Sequence, residues 1–171
     1  MALGLKITFV QKGIGFGGLA AKLPAAIAAG LNEGGGKVRT QVQLSLLKQT
    51  GAKEMSSITR RIRVGPASGG ALAYRIVAAG RPVMGIKEFK WSNTGKGITA
   101  AVWGVDRLFK RSFLLNGVPM ARRGSERYPI RTLYGPNLAK ELTRGATPSV
   151  FIFSARAFVP PAILKHIKGA I

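Results

Sequence analysis

The chain has 171 residues and no cysteine, a length that suits one domain and a composition that excludes disulfides and thiolate metal sites. Hydrophobic residues make up 46% of it, which supplies a core and excludes a disordered basic tail. Lys and Arg total 27 against 6 Asp and Glu, a net charge of +21, so the surface favours an anionic neighbour: nucleic acid, an acidic protein or a membrane surface.

The N-terminal stretch predicts a strand and a glycine-rich turn. Residues 5–10 alternate apolar and polar side chains, which indicates a β-strand. The glycines at 13–18 follow with the spacing G-x-G-x-x-G of dinucleotide-binding loops. Those loops need an acidic residue about 20 positions further on, after a second strand, whereas Glu33 comes too early and no strand precedes it. We therefore interpret the glycines as a strand-to-helix turn and expect no cofactor.

Residues 19–50 predict a long helix. Apolar residues recur at helical spacing, Pro24 suits a first turn, and Gly51 suits a C-cap. The triple glycine at 34–36 interrupts the pattern, because each interior glycine costs about 1 kcal/mol relative to alanine. The sequence leaves open one kinked helix or two helices joined by a hinge.

The middle of the chain predicts an antiparallel meander. A short helix at 53–62 precedes it, and residues with turn chemistry separate its β-rich runs. Asn116-Gly117 is the expected tip of one hairpin. The predicted strands are residues 71–79, 83–89, 98–103, 109–122 and 127–133.

The C-terminal part predicts a helix at 137–144 opened by Pro136, a strand at 150–153, and a last helix at 162–168 that follows Pro160-Pro161. No uninterrupted apolar run reaches the roughly 18 residues that a membrane span needs, and the N-terminus lacks the basic and apolar regions of a signal peptide. We expect no membrane association, and a cytoplasmic protein or a particle assembled in the cytoplasm.

The predicted fold class is α+β: a long N-terminal helix packed on an antiparallel β-sheet, with a short C-terminal helix. The change from helical periodicity to short runs separated by Gly, Pro and Asn supports this class. We divide the chain into one α+β domain, residues 1–150, and a C-terminal arm or helix, residues 151–171, that contacts neighbouring molecules.

The acidic residues are too few and too scattered for most hydrolytic or metal chemistry. No two of them have the three- or four-residue spacing that places a pair on one helix face. The single histidine, His166, lies beside Lys165 and Lys168 and is interpreted as a surface residue. We predict that the chain is not an enzyme and binds no metal. The acids are Glu33, Glu54, Glu88, Asp106, Glu126 and Glu141.

Basic residues cluster in four places, where an anionic partner is expected. Arginine dominates, and its guanidinium can make two hydrogen bonds at once to a phosphate or carboxylate. Any single cluster is equally explained as a solvated face, but with +21 overall at least one should meet a partner. Tyr128 and Phe109 are the candidates for base stacking beside the arginines. The candidate subunit-interface or DNA-channel residues are Arg60, Arg61, Arg63, Arg107, Arg111, Arg122, Arg123, Arg127 and Arg131.

The segment from Arg122 to Arg131 carries the densest of these clusters. Tyr128 and Ile130 are expected on one strand face that anchors the segment, with Arg127 and Arg131 on the outward face. Because proline has no N–H, Pro129 predicts an edge or irregular strand to which a neighbouring subunit can add. Glu126 and Glu141 are candidates to pair with some of these arginines, leaving an excess of positive charge.

Several segments resemble one protein family in order and spacing. Residues 125–136, with Arg127-Tyr128-Pro129-Ile130 and a final Gly135-Pro136, resemble the "R-x-P-I…G-P" segment of the prophage minor tail protein Z family of tail-completion proteins. The resemblance covers roughly residues 25–142. The triple glycine and the C-terminal stretch with Pro160-Pro161 depart from the family pattern. The other matching segments are residues 37–51 ("A-x-x-V-R-T…K-x-T-G"), 58–64 ("R-I-x-V"), 96–103 ("K-G-V-x-V") and the basic-aromatic run 107–113.

The resemblance implies a structural virion protein of a tailed bacteriophage. Such a chain would form a cyclic ring of six or twelve copies in the neck, at the head–tail connection, with genomic DNA passing through its channel. Its neighbours would be the tail terminator or tail tube and the head-connector proteins, and it would be assembled in the host cytoplasm. The runner-up is a basic nucleic-acid-binding protein of the cell, of ribosomal or nucleoid type, which fits the charge but has only 19% charged residues and no recognisable RNA-binding signature.

Overall fold

The computed structural model of the chain describes residues 4–8 and 22–170. The fold is α+β, with a long N-terminal helix that packs against a C-terminal helix and antiparallel sheets. The glycine motif at 13–18 lies outside the described residues. The helices are α1 (Leu23–Thr50), α2 (Met55–Thr59), α3 (Leu138–Glu141) and α4 (Thr147–Lys168). The strands are β1 (Gly4–Thr8), β2 (Ile62–Gly65), β3 (Ala73–Ala78), β4 (Val83–Gly85), β5 (Trp91–Thr94), β6 (Gly97–Val102), β7 (Val105–Lys110), β8 (Ser112–Leu115), β9 (Val118–Arg122), β10 (Ile130–Thr132) and β11 (Tyr134–Asn137).

The described strands form several small antiparallel sheets instead of the one sheet expected. Their orders are β1-β3-β2, β5-β6-β7, β8-β9-β10 and β4-β11. The hydrophobic core joins them to α1, because Val42 and Leu46 of α1, Ile76 of β3 and Ile98 of β6 belong to one fully buried cluster. The sheets therefore behave as one scaffold, with β10 at the edge of its sheet as predicted.

Helix α1 runs uninterrupted through its triple glycine. A Cβ on Gly30 would lie 2.5 Å from the backbone of Ile163, and one on Gly34 would lie 2.9 Å from the backbone of Val159, both in α4. A Cβ on Gly35 would meet the ring of Tyr74 at 2.5 Å, whereas Gly36 has nothing within 4 Å. The glycines thus let α4 and Tyr74 approach α1 closely, which explains why the helix tolerates their low propensity. Gly51 ends α1 in the left-handed conformation, φ 74°, as predicted.

Helix α4 corrects the predicted C-terminal structure. The expected strand at 150–153 and the short helix at 162–168 are wrong, since both ranges belong to one 22-residue helix antiparallel to α1. The local sequence at 150–153 favours a strand, but the buried residues of α4 recur at helical spacing. Pro160 and Pro161 interrupt the helical hydrogen bonds on an exposed side, where water can satisfy the freed carbonyls. The boundary after residue 150 falls inside this helix.

Three smaller expectations also need correction. The predicted strand at 83–89 ends at Gly85 and continues as a 3₁₀ turn, Ile86–Glu88. The predicted helix at 137–144 shortens to α3, and Asn137 caps it by accepting a hydrogen bond from the Ala139 N–H at 3.0 Å. Pro136 lies in β11 rather than opening the helix.

Glu33 of α1 connects the two long helices electrostatically. Its carboxylate lies 3.1 Å from Lys165 Nζ and 2.9 Å from His166 Nε2, both in α4, and 3.5 Å from Lys37 Nζ. Hydrogen bonds from Lys165 and His166 lower the pKa of Glu33 from 4.5 to about 2. His166, expected as an isolated surface residue, is half-buried in this contact.

A Glu33→Gln substitution should change how stability depends on pH. Because the folded-state pKa is depressed, the ionised carboxylate stabilises the fold above pH 4.5, and that contribution is lost as the pH falls towards 2. We expect wild type to be more stable than Glu33→Gln at pH 6, with the difference shrinking below pH 4.5. Denaturant unfolding at pH 6 and at a pH below 4.5 measures this difference in stability. Glu54→Gln, whose carboxylate bonds Ser56 two residues away, is the control; a pH-independent difference for Glu33→Gln would contradict the assignment.

Candidate nucleic-acid interface

The β8-β9-β10 sheet has one buried face and one exposed face. Directly opposite residues of antiparallel strands share a face. Ala121 lies opposite Ser112 and Arg131, and its burial identifies the inner face. Arg122 pairs with Ile130 on one side, and its N–H donates to the Arg111 carbonyl on the other at 3.2 Å. Strand alternation therefore places Arg111 and Arg122 on the exposed face.

Apolar side chains lie between these arginines. Phe113 is half-buried, and the Arg122 guanidinium lies 5.8 Å from its ring centroid. One open depression of about 420 Å³ is lined by Arg111, Phe113 and Arg122 together with the loop at 124–125. A second, of about 230 Å³, is lined by Phe113, Leu115, Arg122, Arg127, Tyr128 and Ile130. Both depressions combine an aromatic ring with guanidinium groups, the combination that binds unpaired bases and phosphates.

The loop after β9 extends this surface. Arg123 donates its N–H to the Pro129 carbonyl at 3.0 Å, which closes the loop. Tyr128 is 64% exposed, and the Arg127 guanidinium lies 5.8 Å from its ring. The expected anchoring role of Tyr128 and Ile130 is therefore wrong: Tyr128 lies before β10, and Ile130 shares the exposed face with Arg122. We call Arg111, Arg122 and Arg127, with Phe113, Tyr128 and the exposed Arg123 of the adjoining loop, the basic-aromatic face.

The remaining arginines of this half of the chain lie elsewhere. Arg131 lies opposite Ala121, so it is on the inner face of the sheet and not on the outward face predicted for it, although its position on the edge strand leaves it exposed. Arg107 belongs to β7, in another sheet, and its guanidinium lies 4.8 Å from the Trp103 ring centroid. Trp103 in turn donates from Nε1 to Glu141 at 3.1 Å. Arg107 and Trp103 form a smaller, separate arginine–aromatic pair.

The acids predicted to neutralise these arginines do not do so in the described structure. Glu141 accepts a 2.6 Å hydrogen bond from Gln49 Nε2 in addition to the one from Trp103, so it connects α1, α3 and the β6–β7 turn. The ion pairs within residues 4–8 and 22–170 involve only Glu33 and Glu88. The expected pairing of Glu126 and Glu141 with arginines is wrong, and the basic-aromatic face keeps its charge.

Arg61 does not belong in the candidate interface set, because its side chain forms its hydrogen bonds within the fold. It and Glu88 are each only 13% exposed and pair at 2.7 Å. Its five N–H donors make five hydrogen bonds, two to the Glu88 carboxylate and three to the backbone carbonyls of Ser57, Arg81 and Val83. No donor remains for a partner.

Glu88 also accepts hydrogen bonds from Arg60 and from the Gly85 N–H. Burial would raise its pKa, but hydrogen bonds from the Gly85 N–H, Arg61 and Arg60 outweigh burial and hold the pKa below the usual value. Arg60 is exposed and pairs with Glu88 at 3.0 Å, while Arg63 is exposed on β2. The cluster at 60–63 is thus mainly a structural ion pair, and Arg63 alone of its members projects freely from the described residues.

Phe113 is the member of the basic-aromatic face that the sequence reasoning missed. Phe109, the predicted stacking candidate, packs against the core. The signal lay in strand alternation beyond Arg111: Ser112 points inward and donates to the Phe109 carbonyl, so Phe113 must point outward.

No protein-family model matches the chain, and no curated protein or solved structure shows significant similarity to it.

Proposed function

We propose that the chain is a non-enzymatic structural protein of a tailed-bacteriophage virion, a minor tail or tail-completion subunit that forms a ring in the neck around the DNA channel. The ring has six or twelve copies and lies between head-connector proteins and the tail terminator or tail tube. Genomic DNA passes through it. Assembly takes place in the cytoplasm of the host bacterium, and the mature location is the virion.

The basic-aromatic face is the observation that supports this proposal most. Its four exposed arginines are free of ion pairs with the described acids, on a chain of net charge +21. A surface of this kind attracts a polyanion through phosphate contacts without requiring a base sequence. Contact of this kind suits a channel through which any genome sequence passes, because phosphate contacts do not depend on base sequence. The place in the particle is proposed from the resemblance of residues 25–142 to the tail-completion family.

The same face also favours the alternative, a cellular nucleic-acid-binding protein of ribosomal or nucleoid type. Exposed rings beside guanidinium groups suit base stacking on single strands. The two functions differ in affinity: a cellular binder should bind tightly alone at physiological salt, and a neck subunit should bind weakly until ring neighbours surround the DNA. A salt titration of the isolated chain with duplex and single-stranded DNA separates them.

Replacement of Arg111, Arg122, Arg123 and Arg127 by Ser should weaken duplex DNA binding while leaving the fold intact. Removal of phosphate contacts should reduce the slope of log affinity against log salt by roughly 2 to 4, at about 0.9 per contact. Fluorescence anisotropy with a labelled 30-base-pair duplex, from 50 to 200 mM salt, measures this.

The control variant removes the same charge from exposed residues outside the face, Lys53, Arg81, Lys140 and Lys168. It should lose little of the salt slope, and both variants should keep the wild-type melting temperature within a few degrees. An equal loss in the two variants would mean that overall charge, not this face, binds DNA.

A further inference from the structure

Helix α4 carries an apolar stripe that the described part of the chain leaves uncovered. Phe153 is 76% exposed, the highest value among the large hydrophobic residues that the structure describes, and Leu164 is 57% exposed. At 100° per residue these two lie on one side of the helix, together with small or rigid apolar residues. At 1.5 Å per residue the stripe is about 27 Å long. The apolar stripe comprises Ala146, Val150, Phe153, Ala157, Pro160 and Leu164, all exposed except the half-buried Val150.

The stripe borders a groove between α4 and α1. Two adjoining depressions of about 500 and 530 Å³ share Gln41 and Val150 in their linings. Phe153 and Phe158 contribute to one, and Leu44, itself 39% exposed, contributes to the other. The groove therefore has an apolar wall from α4 and a mostly polar wall from α1, in which Leu44 is the apolar side chain. It is open along its length, the shape that receives an amphipathic helix.

The charged side chain that lines the groove is basic, and further basic residues lie near it. Lys48 lines the groove. Exposed Arg144 lies three residues before α4, and exposed Arg156 lies on α4. No carboxylate is among the described residues that line either depression. Of the nearby acids, Glu33 of α1 pairs with Lys165 and His166. Glu141 of α3 accepts hydrogen bonds from Trp103 and from Gln49, a residue that lines the groove. An occupant must therefore be apolar at its centre and acidic at its edges.

We infer that the α1–α4 groove is a docking site for an amphipathic helix of another protein, one that carries Glu or Asp on both sides of its apolar face. Charge complementarity selects this occupant over a long helix of a second copy, because α4 contains no acid and Glu33, the acid of α1, is paired with Lys165 and His166. The inference does not depend on the neck assignment, since an acidic helix could come from any partner.

The test uses two labelled 18-residue helical peptides with the same Leu/Ala apolar face, one flanked by Glu and the other by Lys. Anisotropy titration should show the Glu peptide binding the full chain at least tenfold more tightly than the Lys peptide. The double variant Leu44→Ser/Phe153→Ser should lose at least tenfold in affinity for the Glu peptide. Ile152→Ser is the matched control, since Ile152 is 50% exposed on α4 but outside the groove lining, and it should bind as wild type.

Charge reversal distinguishes docking from non-specific hydrophobic binding. Lys48→Glu/Arg156→Glu should invert the preference towards the Lys peptide. Equal binding of both peptides to wild type, or unchanged binding by the Leu44/Phe153 variant, would overturn the inference. A second result would also overturn the inference: wild type self-associates in sedimentation, the Leu44/Phe153 variant does not, and the Glu peptide fails to bind. The occupant of the groove would then be a second copy.

A lipid surface is the remaining occupant to exclude. By length and composition alone, Thr147–Lys168 is apolar enough to cross a bilayer: the mean hydropathy of its 18-residue window is 1.3, and 28% of that window is buried in the fold. We expect the chain to bind phosphatidylglycerol vesicles through charge alone. In a flotation assay, 0.5 M salt should therefore release wild type and the Leu44/Phe153 variant alike. Salt-resistant flotation that requires Phe153 would overturn the inference in favour of a membrane.

Discussion

Gly30→Ala and Gly34→Ala are expected to destabilise the fold, whereas Gly36→Ala is expected to stabilise it. At positions 30 and 34 the new methyl group would lie within 3.0 Å of α4 backbone atoms, which cannot rotate away. The two helices must separate, and overpacking of this kind costs about 1–3 kcal/mol. At Gly36 the methyl meets nothing within 4 Å, so only the helix propensity changes, by about 0.5–1 kcal/mol in favour of alanine.

Denaturant unfolding of the three variants measures these free energies in one helix with one substitution type. The opposite signs make the comparison independent of any general effect of alanine. If all three variants were stabilised, α4 would not lie against the glycines, and the α1–α4 contact that creates the groove would be wrong.

Arg61→Met should cost about 3 kcal/mol of unfolding free energy, at the lower end of the cost of breaking a buried ion pair. The substitution removes five hydrogen bonds and leaves Glu88, 13% exposed, with Arg60 and the Gly85 N–H as its partners. Arg63→Met, at an exposed position two residues further on, should stay within about 0.5 kcal/mol of wild type.

The double variant Arg61→Met/Glu88→Leu separates the lost pair from the stranded charge. It should be more stable than Arg61→Met alone, because no carboxylate remains in the partly buried site without its main ion-pair partner. Thermal and denaturant unfolding measure both values. A loss below 0.5 kcal/mol for Arg61→Met would return Arg61 to the set of interface candidates.

Sequence periodicity was sufficient for α1 and misleading for α4. The spacing of Val38, Val42 and Leu46 and the cap at Gly51 are local signals, and the structure follows them. Residues 150–153 are β-branched or aromatic and precede two prolines, so local propensity favours a strand there. Only packing along α1 makes this segment helical, and the glycines that permit the packing lie more than 100 residues away.

The candidate interface shows the same limit. Charge and arginine content identified the region from Arg111 to Arg127, because those are compositional signals. Cross-strand register decided which side chains share a face, and it placed Ile130 with Arg122 and Arg131 with Ala121. Likewise Arg61 could not be distinguished from Arg60 and Arg63 by sequence, since its ion-pair partner Glu88 lies 27 residues further on.

Copy number in purified particles tests the central claim most directly. Cells that carry the gene are induced to release phage particles, and the chain is quantified by mass spectrometry in particle, ribosomal and nucleoid fractions. A neck ring predicts that the chain purifies with the particles at six or twelve copies each. A chain that is missing from the particles, and is found instead with ribosomes or the nucleoid, would contradict the neck assignment and favour the cellular nucleic-acid-binding function.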